Sequence, residues 1–234
     1  MAIRPSNPTA LPFLPKRRDL ASLKRAAKDC EGCDLFRAAT QTVFGKGPAQ
    51  AALMFVGEQP GDQEDKAGEP FVGPAGKLFV TCLDEAGIDR DAIYVTNAVK
   101  HFKWESRGKR RLHEKPNLKE VNACHPWLDA EIKAISPQLI VCLGATAAQA
   151  ILGPHFRVTK SRGMIQNVAG YPPNVATVHP SSILRARTSE EREKQKKDFV
   201  VDLIAVAKAI AKLESTGGAS SKSRPRRQSP GEAI

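Results

Sequence analysis

Four short apolar runs rich in β-forming residues punctuate the chain, at 52–56, 93–96, 139–143 and 175–178. Between them, apolar positions recur at helical spacing over about 75–86, 118–135 and 145–152. A last helix is predicted from near Ser189, with Thr188 and Glu191 as a capping box. Its apolar face runs through Phe199, Leu203, Val206, Ile210 and Leu213. Strands alternating with helices predict an α/β fold whose mostly parallel sheet is covered on both faces. In such sheets the ligand crevice lies beyond the carboxyl ends of the strands. Gly57-Glu58-Gln59-Pro60-Gly61 follows the first run and Asn97 the second. Gly144-Ala145-Thr146 follows the third and His179-Pro180-Ser181-Ser182 the fourth. Polar and glycine residues thus converge on one sheet edge, which predicts a site there.

The flanks read differently. Residues 1–16 are rich in Pro and aperiodic, so an extended N-terminal arm is expected. Residues 215–234 have the Ser/Gly/Pro/Arg bias of a disordered basic tail. One domain, 17–214, lies between them. No apolar run approaches the roughly eighteen residues that would suggest a membrane span. The N-terminus lacks a signal-like apolar core, so a cytoplasmic protein is expected. No feature calls for an obligate protein partner, and a monomer is expected.

Charge narrows the class of partner. The chain carries a net +11, and the tail contributes four Lys/Arg and one acid, leaving about +8 on residues 1–214. A basic surface gains affinity for a polyanion by releasing its condensed counterions, so nucleic acid is the favoured partner. Five cysteines in a cytosolic chain do not make a disulfide framework. Cys30-x-x-Cys33 follows a helical stretch, not a strand, which points to a metal or cluster before a thioredoxin-type redox pair.

Residues 57–79 form a loop between strand and helix, punctuated by Gly61, Gly68, Gly73 and Gly76. Gly68 and Gly73 have the outer spacing of a P-loop, but Pro74 follows where Lys is required, so that reading fails. What remains presents Glu58, Gln59, Asp62 and Asp65, together with Phe71, a candidate stacking platform for a planar ligand.

This segment, with Tyr94-Val95-Thr96-Asn97-Ala98-Val99-Lys100 and His179-Pro180-Ser181-Ser182, resembles the uracil-DNA glycosylase superfamily, nearest its iron–sulfur (type-four) branch. The resemblance spans roughly residues 20–210. It implies a three-layer sandwich around a central four-stranded parallel sheet, acting on uracil-containing DNA, with single strands accepted. Such an enzyme flips the base out of the stack and reads its polar edge. Asn97, with amide donor and acceptor, suits an imide edge. Gln59, Gly61 and Asp62 would help bind the uracil, and Phe71 would stack on it. His179 would stabilise charge developing on the uracil O2 side as the glycosidic bond breaks. Ser181 and Ser182 would bind phosphates, Ile183 or Leu184 would wedge into the vacated stack, and Arg185 would meet the backbone.

The segment from His101 to Lys115 holds six Lys/Arg in fifteen residues, interleaved with Phe102 and Trp104. As a sequence it reads as a basic loop gripping DNA. Lys109-Arg110-Arg111-Leu112-His113 resembles the KRRIH loop of the UdgX subgroup, with Leu for Ile. That resemblance implies that His113 attacks C1′ of the deoxyribose and stays attached, with Glu58 orienting the ring. In the plainer alternative His113 touches phosphate and water completes an ordinary turnover. A third reading is a noncatalytic nucleic-acid binder with a cluster.

Type-four enzymes carry a [4Fe–4S] cluster on four cysteines. By resemblance Cys30, Cys33 and Cys124 match three of them, and His101 stands where the remaining cysteine is normal. His101 as a nitrogen ligand is the simplest repair, and a Cys₃His zinc site is the chemical rival. Cys82 and Cys142 read as core residues.

Overall fold

A computed structural model describes residues 8–217. Seven strands form two sheets: β1 (Leu53–Gly57), β2 (Tyr94–Asn97), β3 (Trp104–Arg107), β4 (Arg110–His113), β5 (Leu139–Leu143), β6 (Ile165–Gln166) and β7 (Asn174–Thr177). Eight helices accompany them: α1 (Leu20–Ala27), α2 (Asp62–Ala67), α3 (Pro74–Glu85), α4 (Leu118–Ile135), α5 (Ala145–Leu152), α6 (Val158–Ser161), α7 (Pro180–Leu184) and α8 (Ser189–Gly217). The large sheet has the order β2-β1-β5-β7-β6. Its first four strands are parallel, as expected, and the two-residue β6 adds an antiparallel fifth at the edge.

Strand periodicity divides the core. Leu53, Phe55, Val95, Val141 and Val175 face Phe79, Ile183 and Phe199 from α3, α7 and α8. Met54, Val56, Tyr94, Ile140 and Ala176 face Leu128, Ile132 and Ile151 from α4 and α5. Apolar residues therefore fill both sides of the sheet, giving three layers. Pro74 opens α3 at a position whose missing N–H costs nothing. A full capping box opens α4, where Asn117 Oδ1 accepts from Glu120 N–H and Glu120 Oε2 accepts from Asn117 N–H.

Four expectations are revised. The basic loop folds as an antiparallel hairpin, β3–β4, pairing Trp104 with His113 and Arg107 with Arg110. Gly108, at φ +60°, opens its two-residue turn, where a hairpin of this length favours glycine. The N-terminal arm is not simply extended: Leu11–Phe13 form a 3₁₀ turn, and Ala10 is buried with its N–H on Ala123 O of α4. At α8 only half of the capping box forms. Thr188 Oγ1 accepts from Glu191 N–H, but the Glu191 carboxylate takes Arg187 N–H instead of Thr188 N–H. Finally, α8 continues to Gly217, past the boundary drawn at residue 214; the rest of the tail, 218–234, lies outside the described residues. No helix among the described residues is long and apolar enough to cross a membrane.

Candidate functional site

A cleft of about 990 Å³ opens where the four parallel strands end, lined by Glu58 after β1, Asn97 at the end of β2, Gly144 after β5 and His179 after β7. Its depth belongs to Asn97 and Phe71. Asn97 is buried, and its side chain occupies the space beside Gly57 that a Cβ there would take. Phe71 sits at φ +59°, a conformation that costs a non-glycine residue free energy and clusters at functional sites. The surroundings hold it there: its ring packs on Phe79 at 5.2 Å, and its carbonyl lies where a side chain on Gly76 would be. The His179 ring lies 6.3 Å from the Phe71 ring and nearly parallel, at 27°.

Residue His179 caps α7 with its side chain. Nδ1 accepts the Ser181 N–H at 3.1 Å and lies 2.8 Å from Ser181 Oγ. A ring nitrogen that accepts a backbone N–H carries no proton, so in the neutral ring the proton is on Nε2. Burial pushes the His179 pKa down to about 4 against the opposing pull of Glu58, and nearby Arg185 and His113 lower it further. The ring is therefore neutral at pH 7, with one N–H donor left to offer.

Across the cleft, His113 Nε2 lies 3.3 Å from Glu58 Oε1. The other Glu58 oxygen accepts the Thr146 hydroxyl, from the first turn of α5. Burial pushes the Glu58 carboxyl up, but hydrogen bonds from His113 and Thr146, with the electrostatic influence of the His113 and His179 rings, outweigh it. Glu58 is thus held ionised below its ordinary range. His113 is half exposed and reaches the cleft because the hairpin folds over it.

The remaining expected residues divide into those on the cleft and those turned elsewhere. Ser181, Ser182, Leu184 and Arg185 line it, whereas Ile183 is fully buried among the α3 and α8 side chains and cannot reach a stack of bases. Gln59 borders the cleft, but its amide pins the base of the hairpin, bonding Lys103 O, Glu114 O and Lys103 N–H at 3.0–3.1 Å. Gly61 also borders it, with its N–H given to Glu64. Arg111 points inward, not toward a backbone. Its guanidinium binds Asp62 Oδ1 at 2.6 Å and Asp65 Oδ2 at 2.7 Å while covering the rings of Phe102 and Trp104. Asp62 is correspondingly occupied by Arg111 and Lys66. Lys109 and Arg110 remain exposed at the hairpin tip.

Beneath β2, Cys30, Cys33 and Cys124 share one buried cluster with Val99 and Trp127. Trp127 Nε1–H donates to Cys30 Sγ at 3.1 Å and Lys100 N–H to Cys124 Sγ at 3.2 Å. Burial pushes the Cys33 thiol up to about 11 and Cys124 to about 12, so both are protonated unless a cation offsets the thiolate charge. His101 is buried, and burial holds it neutral, down to about 4. Its Nε2 lies 2.9 Å from Thr42 Oγ1, whose own hydrogen goes to Ala27 O. Nε2 is therefore the protonated nitrogen, and the lone pair is on Nδ1. Among the described residues no three His, Cys, Asp or Glu side chains form a group that could hold a single metal ion. The donor set and its N–H···S bonds fit thiolate ligation to a polynuclear cluster, in which each ligand takes its own iron. Cys82 and Cys142 lie apart, in the two cores flanking the sheet.

Two features escaped the sequence. Thr146 stood in a flagged segment, but nothing there gave it a partner. Glu131, fully buried on the apolar stripe of α4, had its lone charge among apolar neighbours as the only signal.

The family model "Uracil DNA glycosylase superfamily" matches residues 44–204. The chain is 38% identical over 188 residues to the type-4 uracil-DNA glycosylase of Thermotoga maritima, covering 80% of this chain and 92% of that protein. It is 35% identical to the type-4 uracil-DNA glycosylase of Archaeoglobus fulgidus over 182 residues, covering 74% and 88%. With the protein of that name from Sulfurisphaera tokodaii it shares 40% identity over 149 residues, covering 62% and 64%.

Proposed function

The chain belongs to the uracil-DNA glycosylase superfamily, and on that premise we propose that it excises uracil from DNA and is then captured on the sugar by His113. The observation that carries the capture is the His113–Glu58 contact, on the wall of the same cleft as Asn97, Phe71 and His179.

A flipped uracil stacks on Phe71 and presents its imide edge to the Asn97 amide. The neutral His179 offers Nε2–H to O2, where negative charge grows as the C1′–N1 bond breaks and its electron pair leaves with the base. Neutrality matters here, because the donor then stabilises charge without surrendering a proton. The sugar is left as an oxocarbenium ion. The lone pair of the His113 ring forms the new N–C1′ bond, and the imidazole becomes a cation whose charge the ionised Glu58 balances. A ring already held at the cleft has a large effective concentration relative to water.

Lys109, Arg110 and Arg185 contact phosphates, with Ser181 and Ser182 assisting, and Leu184 fills the vacated stack. Single-stranded substrates are accepted, since an unpaired base costs less to extrude. A [4Fe–4S] cluster would be held by Cys30, Cys33, Cys124 and His101, the last through its unprotonated Nδ1. When bound, such a cluster would crosslink the N-terminal segment, the segment after β2 and α4.

The test is incubation with end-labelled uracil DNA, followed by a denaturing gel and a separate alkali-cleavage assay. A band that survives denaturation and vanishes in His113→Ala supports capture. Repeated turnover with no such band would replace it with ordinary hydrolysis, and absence of both products would leave a noncatalytic binder.

A further inference from the structure

Asn97 can read a base only if its backbone is fixed, and the structure contains a fully buried device at that backbone. Lys100 and Glu131 are both essentially inaccessible and form an ion pair. An unpaired charge at either position would be costly, so the network around them must satisfy both. It does. The Lys100 ammonium has three hydrogens and three acceptors: Glu131 Oε2, Thr96 Oγ1 at 2.7 Å and the main-chain carbonyl of Asn97 at 2.7 Å. Glu131 in turn accepts from the Tyr94 hydroxyl at 2.8 Å, the Thr96 hydroxyl at 3.0 Å and the Gly45 N–H at 3.2 Å. Burial, with the neighbouring Glu131 charge, keeps the Tyr94 phenol far above its ordinary pKa, so it remains a donor.

This network is anchored at both ends. One end is the carbonyl of the residue whose side chain fills the cleft floor beside Gly57 and Phe71. The other is the Lys100 main chain, whose N–H bonds Cys124 Sγ and whose carbonyl accepts from Val43 N–H at 2.8 Å. Lys100, Glu131, Thr96 and Tyr94 do not themselves line the cleft. A buried ion pair is often no more stabilising than apolar side chains of the same volume, so packing alone does not account for this network.

We propose that Lys100, supported by Glu131 and Thr96, is the positioning residue that fixes the Asn97 peptide and thereby sets selectivity for the uracil edge. Lys100 touches no substrate; it acts through Asn97. The inference rests on the reading of Asn97 as the base-reading residue.

The test compares wild type with Lys100→Met/Glu131→Gln, which removes both charges together and leaves neither buried alone. Four quantities are measured: visible absorbance per protein, affinity for abasic-site DNA, inhibition by free uracil, and single-turnover excision. The double variant should retain its absorbance and its abasic-DNA affinity. Excision should fall by about 10- to 100-fold, the scale expected when a positioned group moves by about an ångström. Inhibition by free uracil should weaken by a similar factor, which a merely structural loss would not produce. Uracil inhibition and excision within about twofold of wild type would overturn the proposal, as would losses that track lost absorbance. If the double variant does not fold, Thr96→Val removes one Lys100 acceptor and leaves the ion pair intact. It should weaken both uracil readings by several-fold, and unchanged values would overturn the proposal equally. Wild-type protein that releases no uracil would instead overturn the functional reading, before any variant is compared.

Discussion

His113 Nε2 and Glu58 Oε1 stand 3.3 Å apart, one carried by the β3–β4 hairpin and the other by the loop leaving β1 of the central sheet. The contact exists only because the hairpin folds back over the strand ends. If Glu58 orients the His113 ring and balances its later charge, Glu58→Gln should slow formation of the denaturation-resistant complex by about 10²-fold. The amide keeps the size and loses the charge. His113→Ala should abolish the complex. Quenched time courses on denaturing gels measure both, and a Glu58→Gln rate equal to wild type would remove Glu58 from the step.

The second expectation concerns pH. His179 is held neutral, with its pKa brought down to about 4 in the folded protein from about 6.5 when unfolded. Between those values the unfolded chain binds more protons, so stability is full above about pH 6.5 and declines as pH falls toward 4. The loss should be on the order of 1–2 kcal/mol by pH 5. Urea unfolding of wild type and His179→Gln at pH 7 and pH 5 measures it. The variant should lose less between the two pH values, and equal losses would assign the dependence to other groups.

Much of this architecture was legible beforehand. Short, nearly continuous apolar runs located β5 to the residue and the other parallel strands within one residue at each end, because both faces of the sheet are buried. The positions of Asn97, Glu58 and His179 followed from the rule that strand ends build the site. What the sequence hid was pairing at a distance. Arg110 and Arg111 are adjacent and chemically alike, yet strand alternation sends one to solvent and the other onto Asp62 and Asp65. Ile183 and Leu184 looked equivalent as wedges, and helix phase put Ile183 into the core. The β6 strand is too short to leave a periodic signal.

That alternation makes a third prediction. Arg111 latches the hairpin to α2, while Lys109 and Arg110 stay free for phosphate. Arg111→Gln should therefore impair capture on uracil DNA while leaving the salt dependence of DNA binding unchanged. Lys109→Ala/Arg110→Ala should do the reverse, weakening binding uniformly and reducing the salt slope by about one per lost phosphate contact. Titrations at several salt concentrations, alongside capture rates, separate the two. A reduced slope in Arg111→Gln would return that residue to the DNA backbone.

The last prediction uses the cleft floor itself. A Cβ on Gly57 would land against Asn97 Oδ1 and within 2.9 Å of Phe71 Cζ. The Asn97 peptide is tied down by Lys100 and Phe71 is wedged at positive φ against Phe79, so the Asn97 amide and the Phe71 ring, not the backbone, must move. Gly57 itself lies in β1 with an ordinary backbone, so the added methyl creates no φ strain of its own. Its cost falls on the two side chains that would hold uracil. Overpacking of this kind costs about 1–3 kcal/mol of stability. Displacing the base-reading pair by about an ångström should cost on the order of 10²-fold in excision. Gly57→Ala should consequently stay folded, as judged by urea unfolding, bind abasic DNA normally, and excise uracil far more slowly than its modest instability explains. A variant that is folded and fully active would mean that Asn97 and Phe71 do not form the base-binding floor.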